Sequence, residues 1–186
     1  MKRLIDFVIA ICVTLLLITP LLVIAILVRI TSRGPIIYWS DRVGIHNKIF
    51  KMPKFRSMKI NTPTVATHLL SNVELHLTPV GAFLRKSSLD ELPQIWSILI
   101  GDMSFVGPRP ALFNQKDLIS LRTQNGVSEI IPGLTGWAQI NGRDELPIPD
   151  KVKLDLEYMH RQSVKFDIYI MWVTFFKVFK QEDISH

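Results

Sequence analysis

Cysteine is almost missing from this chain: Cys12 is the only one among 186 residues. No disulfide can form within the chain, and nothing points to an oxidising compartment. Paired metal-ligand spacing is missing too, because His46, His68, His76, His160 and His186 stand apart in a way that suits no zinc site. Neither G-x-x-x-x-G-K-[ST] nor G-x-G-x-x-G occurs, so the common nucleotide-binding loops are excluded. Internal repeats and low-complexity tracts are absent as well.

The length fits one compact domain and a membrane element, but not two full domains. A formal charge of +6 suits lipid headgroups, phosphorylated substrates or nucleic acid, and charge alone does not choose among them. The apolar pattern does. Leu4 to Ile30 is almost wholly apolar, broken only by Asp6, Thr14, Thr19, Pro20 and Arg29. It passes the ~18-residue threshold for a membrane helix and would reach about 40 Å. A cleaved signal peptide fits badly, since the apolar core is too long and no small-x-small site follows it. A basic nucleic-acid binder is disfavoured because the chain begins in lipid and the cation-rich Lys48–Lys59 stretch is short.

Pro20 lies mid-segment, where it removes a backbone hydrogen bond, and Thr19 can help to satisfy the freed carbonyls. Lys2 and Arg3 precede the segment, and Arg29 and Arg33 end it. The positive-inside bias therefore draws both ends to the cytoplasm. Two arrangements stand side by side: a re-entrant helix-break-helix turning at Thr19–Pro20, and a kinked single-pass anchor.

Beyond it, Ile36–Trp39 and Lys48–Phe55 predict strands or a hairpin, residues 61–78 a polar loop, and Pro79–Arg85 and Leu89–Leu99 amphipathic helices. Phe166–Phe179, rich in aromatics with Lys165, Lys177 and Lys180 around it, would reach roughly 21 Å as a helix, too short to span. It reads equally as an interfacial helix or as a core helix closing the domain. The expected fold is α+β and mostly helical. A membrane segment at 1–33 would precede a compact cytosolic, membrane-associated domain at 34–186 with interfacial helices and a short β-hairpin.

The densest chemistry runs from Arg85 through Ser88-Leu-Asp90-Glu91-Leu-Pro93, then Gly101-Asp-Met-Ser-Phe and Gly107-Pro-Arg109-Pro110. Ser88 and Glu91 alone spell a capping box, with Asp90 complementing a helix dipole. Against that structural reading, the rigid Gly107–Pro110 turn presets Arg109, whose planar fork suits phosphate. Pro132-Gly-Leu-Thr-Gly136 and Gly142-Arg143 add glycines of the kind that let amides approach an anion.

Together with Lys54-Phe-Arg-Ser-Met58 and Asp155-Leu-Glu-Tyr158, these motifs resemble, in order and over nearly the whole chain, the bacterial sugar transferase family, the monotopic phosphoglycosyl transferases. The length matches the minimal form of that family. The resemblance implies transfer of a sugar-1-phosphate from a UDP-sugar to polyprenyl (undecaprenyl) phosphate, with release of UMP, on the cytoplasmic face of the bacterial inner membrane. This is the first membrane step of glycoconjugate biosynthesis. Asp90 matches the nucleophile that holds a covalent phospho-sugar, and Glu91 its metal-binding or activating partner. Asp90 and Glu91 would share Mg2+. Lys54, Arg85, Arg109 and Arg143 match positions around the phosphates. Successive helical side chains diverge, so two adjacent carboxylates can share a metal only near a helix end or distortion, which Pro93 could supply. The implied partners are the UDP-sugar, undecaprenyl phosphate and the lipid bilayer, with a homo-oligomer or downstream glycosyltransferases beyond them and no nucleic acid. Two departures stand out: Thr19-Pro20 where Ser-Pro is common, and Pro53 where an aromatic usually precedes Lys54. A non-catalytic scaffold, or a membrane-anchored nucleotide-sugar or lipid-phosphate binder, are the rival functions.

Overall fold

The computed structural model describes residues 1–63, 72–142 and 146–180, the side chains of 179 and 180 excepted. Part of the expected 61–78 loop, and Arg143, lie outside the described residues. The apolar segment forms one helix, α1 (Lys2–Thr31), long and apolar enough by length and composition to cross a membrane. One stripe of it meets the rest of the protein: Asp6, Ala10, Ile24 and Val28 are buried, with Val13, Leu17, Leu21 and Ala25 partly so. That spacing of three and four is a single helical face. Leu4, Leu16, Leu22, Ile26 and Ile30 are left bare on the other side.

No interruption of the helix marks the expected turn at Thr19–Pro20. α1 stays helical through Thr19 and Pro20, with Pro20 inside it. A proline removes one hydrogen bond and bends a helix, while the ladder on either side and the continuous packing stripe keep the helix going. The Thr19 hydroxyl makes no hydrogen bond among the described residues; Thr14 and Thr31 are the threonines of α1 whose hydroxyls bond back, to Ala10 and Leu27 carbonyls.

Both ends of α1 are tied to the same globular body. At the start, Lys2 pairs with Asp167 at 2.5 Å. Arg3 donates to the carbonyls of Ile98 and Leu99, and Ser104 donates to Asp6 at 2.8 Å. At the other end, Arg56 donates to the Ser32 carbonyl (2.8 Å) and hydroxyl (2.7 Å).

The hairpin is as expected: β1 (Ile37–Val43) and β2 (Ile49–Phe55) are antiparallel, with Tyr38 opposite Lys54 and Ser40 opposite Met52. Pro53 sits in β2 opposite Trp39 without ending the strand. A two-stranded sheet has only edges, so a missing N–H need not break the ladder. Helices α2 (Val73–His76) and α3 (Gly81–Lys86) follow, then a 3₁₀ turn over Leu89–Gln94 leading into α4 (Ile95–Ile100). Met52, Ile98 and Met103 pack on Ala10 of α1, while Phe55 and Leu84 pack on its Ile24 and Val28.

Elements without counterpart in the sequence reading complete the fold. β3 (Ser104–Val106) and β4 (Gly133–Thr135) form a short parallel pair, and α5 (Lys116–Gln124), α6 (Trp137–Ile140) and α7 (Ile148–Arg161) surround it. The glycines near this pair serve packing: a Cβ on Gly133 would come 2.1 Å from the Gly107 nitrogen, and one on Gly136 2.1 Å from the Gly107 carbonyl oxygen. They admit the close approach of neighbouring backbone. The last helix, α8 (Val164–Lys180), packs on the core along one side. Phe166, Asp167 and Ile170 are buried, whereas Tyr169, Trp172 and Phe175 are exposed.

Candidate active site

Ser88 takes a left-handed conformation (φ 55°) and its hydroxyl caps nothing, so the capping box does not form. The 3₁₀ turn that follows carries Asp90 and Glu91 on adjacent positions of a tight, proline-containing turn. This is the helix distortion that the adjacent carboxylates require. Both residues line a cavity of about 630 Å3, together with Lys54, Arg85 and Arg109.

Glu91 is held from two directions. Lys54 Nζ donates to its Oε1 at 2.7 Å, and Arg109 Nη2 donates to the same atom at 2.8 Å. Burial alone would raise the Glu91 pKa, but Arg109 and Lys54, by charge and hydrogen bond, hold it well below the usual carboxylate range. Asp90 is buried, 6% exposed, yet its carboxylate accepts no hydrogen bond among the described residues. Burial pushes its pKa up, opposed by Lys54 first and by Arg85 and Arg109 further out, while Glu91 adds to the rise. Lys54 in turn has its pKa lowered by burial, against the pull of Glu91 and Asp90. Neighbours in sequence, the two carboxylates are driven apart in proton affinity, a pattern associated with division of labour in active sites.

Three of the four expected cations thus converge on the pair: Lys54 and Arg109 by direct contact with Glu91, and Arg85, at the end of α3, through its charge on Asp90. Arg143 lies outside the described residues. The sequence reading missed a second layer. Arg122 on α5 binds Asp155 on α7 through Nε (2.9 Å) and Nη2 (2.7 Å), and its Nη1 donates to the Arg109 carbonyl at 2.7 Å. Arg42 on β1 donates to the Pro110 carbonyl at 3.1 Å. The turn that carries Arg109 is therefore gripped by two further arginines. Asp155 stood in a recognised motif, but nothing in sequence paired it with Arg122, 33 residues away.

Among the described residues no three His, Cys, Asp or Glu converge to hold a metal unaided. Two adjacent carboxylates nevertheless suit Mg2+, which takes one or two protein carboxylates and completes its octahedron with substrate phosphates and water. Glu91 Oε2 accepts no hydrogen bond among the described residues, so the donor set fits a site shared with a diphosphate.

Comparison with known proteins places the chain in a family. The chain is 42% identical over 187 residues to the UDP-glucose:undecaprenyl-phosphate glucose-1-phosphate transferase of Escherichia coli K12, covering 96% of this chain and 40% of that protein. It is 35% identical to the undecaprenyl-phosphate galactose phosphotransferase of Salmonella typhimurium, over 94% of this chain and 39% of that one. The chain thus spans about two fifths of the length of these two relatives. The uncharacterised sugar transferase EpsL of Bacillus subtilis is 40% identical across all of this chain and 90% of its own length. With the family model for bacterial sugar transferases matching residues 1–181, the chain belongs to the bacterial sugar transferase family.

Proposed function

We propose that the chain is a membrane-associated phosphoglycosyl transferase that moves a sugar-1-phosphate from a UDP-sugar to undecaprenyl phosphate and releases UMP. The observation that carries the reading is the contrast inside the cavity between Asp90, buried and unbonded among the described residues, and Glu91, clamped by Lys54 and Arg109. An Asp90 oxygen attacks the sugar-linked phosphorus, and the bond from that phosphorus to the oxygen bridging towards UMP breaks. UMP leaves with that oxygen and the electron pair. Asp90 then carries the phospho-sugar as an acyl phosphate. An oxygen of undecaprenyl phosphate attacks the same phosphorus, the Asp90 bond breaks, and the carboxylate is restored.

The raised proton affinity of Asp90 makes it the more basic of the two carboxylates and so the better nucleophile once ionised, and Lys54 limits the rise. Arg109 and Lys54 place fixed positive charge where phosphate charge gathers, positioned before the substrate arrives. Asp90 and Glu91 would hold Mg2+ against the diphosphate, and the ion when bound neutralises charge that otherwise repels the nucleophile. UDP-sugars are water-soluble and the acceptor is a lipid, which calls for a site at a membrane–water interface, and the reading assigns it to the cytoplasmic face of the plasma membrane. The tie of both ends of α1 to one body supports a monotopic arrangement there. The product starts a lipid-linked glycan of the O-antigen, capsule, exopolysaccharide or glycoprotein kind.

Protein mixed with UDP-sugar and Mg2+ alone should gain the mass of one sugar phosphate and release one UMP. Absence of the adduct under rapid quench would favour direct transfer. No UMP even with both substrates present would favour a scaffold or a binding protein instead.

A further inference from the structure

The cavity wall has two characters. Around the Arg109 turn it is polar, with Arg42, Gln115, Arg122 and Lys151. Around the end of α1 it carries Pro35, Ile37, Trp39, Ile60 and Pro63, with Lys59 and Thr62 among them. Chain order and contacts fix that second location. Pro35, Ile37 and Trp39 follow directly on the end of α1, and a Cβ on Gly34 would come 2.8 Å from Ile60 Cδ1. Trp39 is 50% exposed and Ile60 67%, so two large apolar side chains stand open to solvent beside a functional cavity.

Arg56, held at the end of α1 by Ser32, lines the same cavity. It is 4% exposed, and among the described residues its Nη1 has no hydrogen-bond partner and it meets no carboxylate. Burial lowers its pKa, and the one charge acting on it is another cation, Arg29. A buried guanidinium without a counter-ion is costly and favours an arriving anion. An apolar flank at the end of α1, beside a guanidinium that meets no carboxylate among the described residues, matches a molecule with an apolar tail and an anionic head.

The geometry points to this flank as the doorway of the lipid acceptor: the first isoprene units of the polyprenyl phosphate lie on Trp39 and Ile60, and its phosphate passes Arg56 on the way to Asp90. This rests on the phosphoglycosyl transfer reading. The reason is energetic. Withdrawing a lipid tail from apolar surroundings costs about 0.8 kcal/mol per CH2, so the head must reach Asp90 while the tail stays covered. The donor, soluble and polyanionic, is served by the polar side.

The test uses the full chain in lipid nanodiscs and follows the two half-reactions separately. Trp39→Ser with Ile60→Ser changes two exposed side chains, so folding is little affected. The KM for undecaprenyl phosphate should rise about tenfold or more, the scale of losing this apolar contact, relative to any change in the donor-only adduct rate. A two-isoprene phosphate acceptor should be penalised as well, because the contact is with the first units. Arg56→Gln should raise the acceptor KM and Arg56→Lys should restore it, with melting temperature read alongside because Arg56 also holds Ser32. In wild-type protein, a photoactivatable polyprenyl phosphate should crosslink within residues 35–39 or 58–63. An unchanged acceptor KM in the double variant, a change in donor KM instead, or crosslinks confined to α8 would each overturn the doorway. A wild-type protein that forms no donor adduct would count against the transfer reading itself, a separate outcome.

Discussion

At the foot of α1, Lys2 meets Asp167, Arg3 meets the carbonyls that end α4, and Asp6 accepts from Ser104, so each of these charges has a partner. In the cavity, Glu91 is met twice, while Asp90 beside it is buried and accepts no hydrogen bond among the described residues. A buried polar network stabilises only when its members are satisfied, and an unsatisfied member costs free energy. The clasp on α1 therefore reads as holding machinery, whereas the Asp90 carboxylate is left open to the cavity. Strained or unsatisfied groups of this kind persist where chemistry needs them.

The comparison breaks most visibly at Asp90. Asp90→Asn should lower UMP release by a factor of about 10⁴ or more, the scale for removing a covalent nucleophile, while the melting temperature holds or rises because a buried charge is gone. Near-normal turnover in the folded variant would end the nucleophile assignment.

The opposite pattern is expected in the clasp. Asp167→Ala leaves the Lys2 ammonium and the Tyr158 hydroxyl, 2.8 Å from Asp167 Oδ1, without their partner. It should cost about 3 kcal/mol of stability, as for breaking a buried pair, with donor-adduct chemistry preserved per folded molecule. Chemical denaturation in detergent, with active-site titration by adduct mass, separates the two quantities.

A finer distinction lies in pH. Adduct formation should fall as pH drops through the raised Asp90 pKa, at higher pH than for an ordinary carboxylate. Lys54→Met removes the largest charge opposing that rise, so it should move the acid limb further upward. Stability follows the linkage rule with opposite signs for the two residues. The folded pKa of Asp90 lies above its unfolded value, so its contribution is full below the unfolded pKa and is lost as pH rises through the folded one. That of Glu91 is depressed, so its contribution is present above the unfolded pKa and is lost as pH falls through the folded one. An acid limb unmoved by Lys54→Met would remove Lys54 from the control of Asp90.

The smallest signal concerns topology. With Lys2 and Ser32 tied to one body, a cysteine added ahead of Met1, in a Cys12→Ala background, should stay unlabelled by an impermeant thiol reagent on intact cells. Labelling would show that the start of α1 crosses the membrane, and the contacts of Lys2, Arg3 and Asp6 would then be absent in the cell.

Some elements were legible because their signals are local. The β-branched and aromatic run of Lys48–Phe55 gave a strand, and Pro79–Arg85 a helix within two residues of α3. α7 was missed although Pro149 marks a helix start. Its buried positions are Val152, Asp155 and Tyr158, so a charged residue interrupts the apolar period. α5 is short and mostly polar, and β3 and β4 have three residues each and exist only by pairing across 29 residues of chain, Ser104 with Gly133. Glycines at 107, 133 and 136 looked like loop residues because sequence does not reveal which backbone will press on them.

From sequence alone came the length and apolarity of α1, the hairpin, and the set of acidic and basic motifs, because each depends on residues close together in the chain. What Glu91 does was decided only in three dimensions. Its spacing from Ser88 favours a cap, but Lys54, 37 residues away, and Arg109, 18 away, offer charge-assisted bonds in a buried place, and these outweigh one backbone cap. The same holds for Lys2 and Asp167, separated by 165 residues, whose meeting folds the start of α1 back onto the body. Partners so distant are selected by the packing of the whole chain, where desolvation strengthens the right pairing and penalises every wrong one.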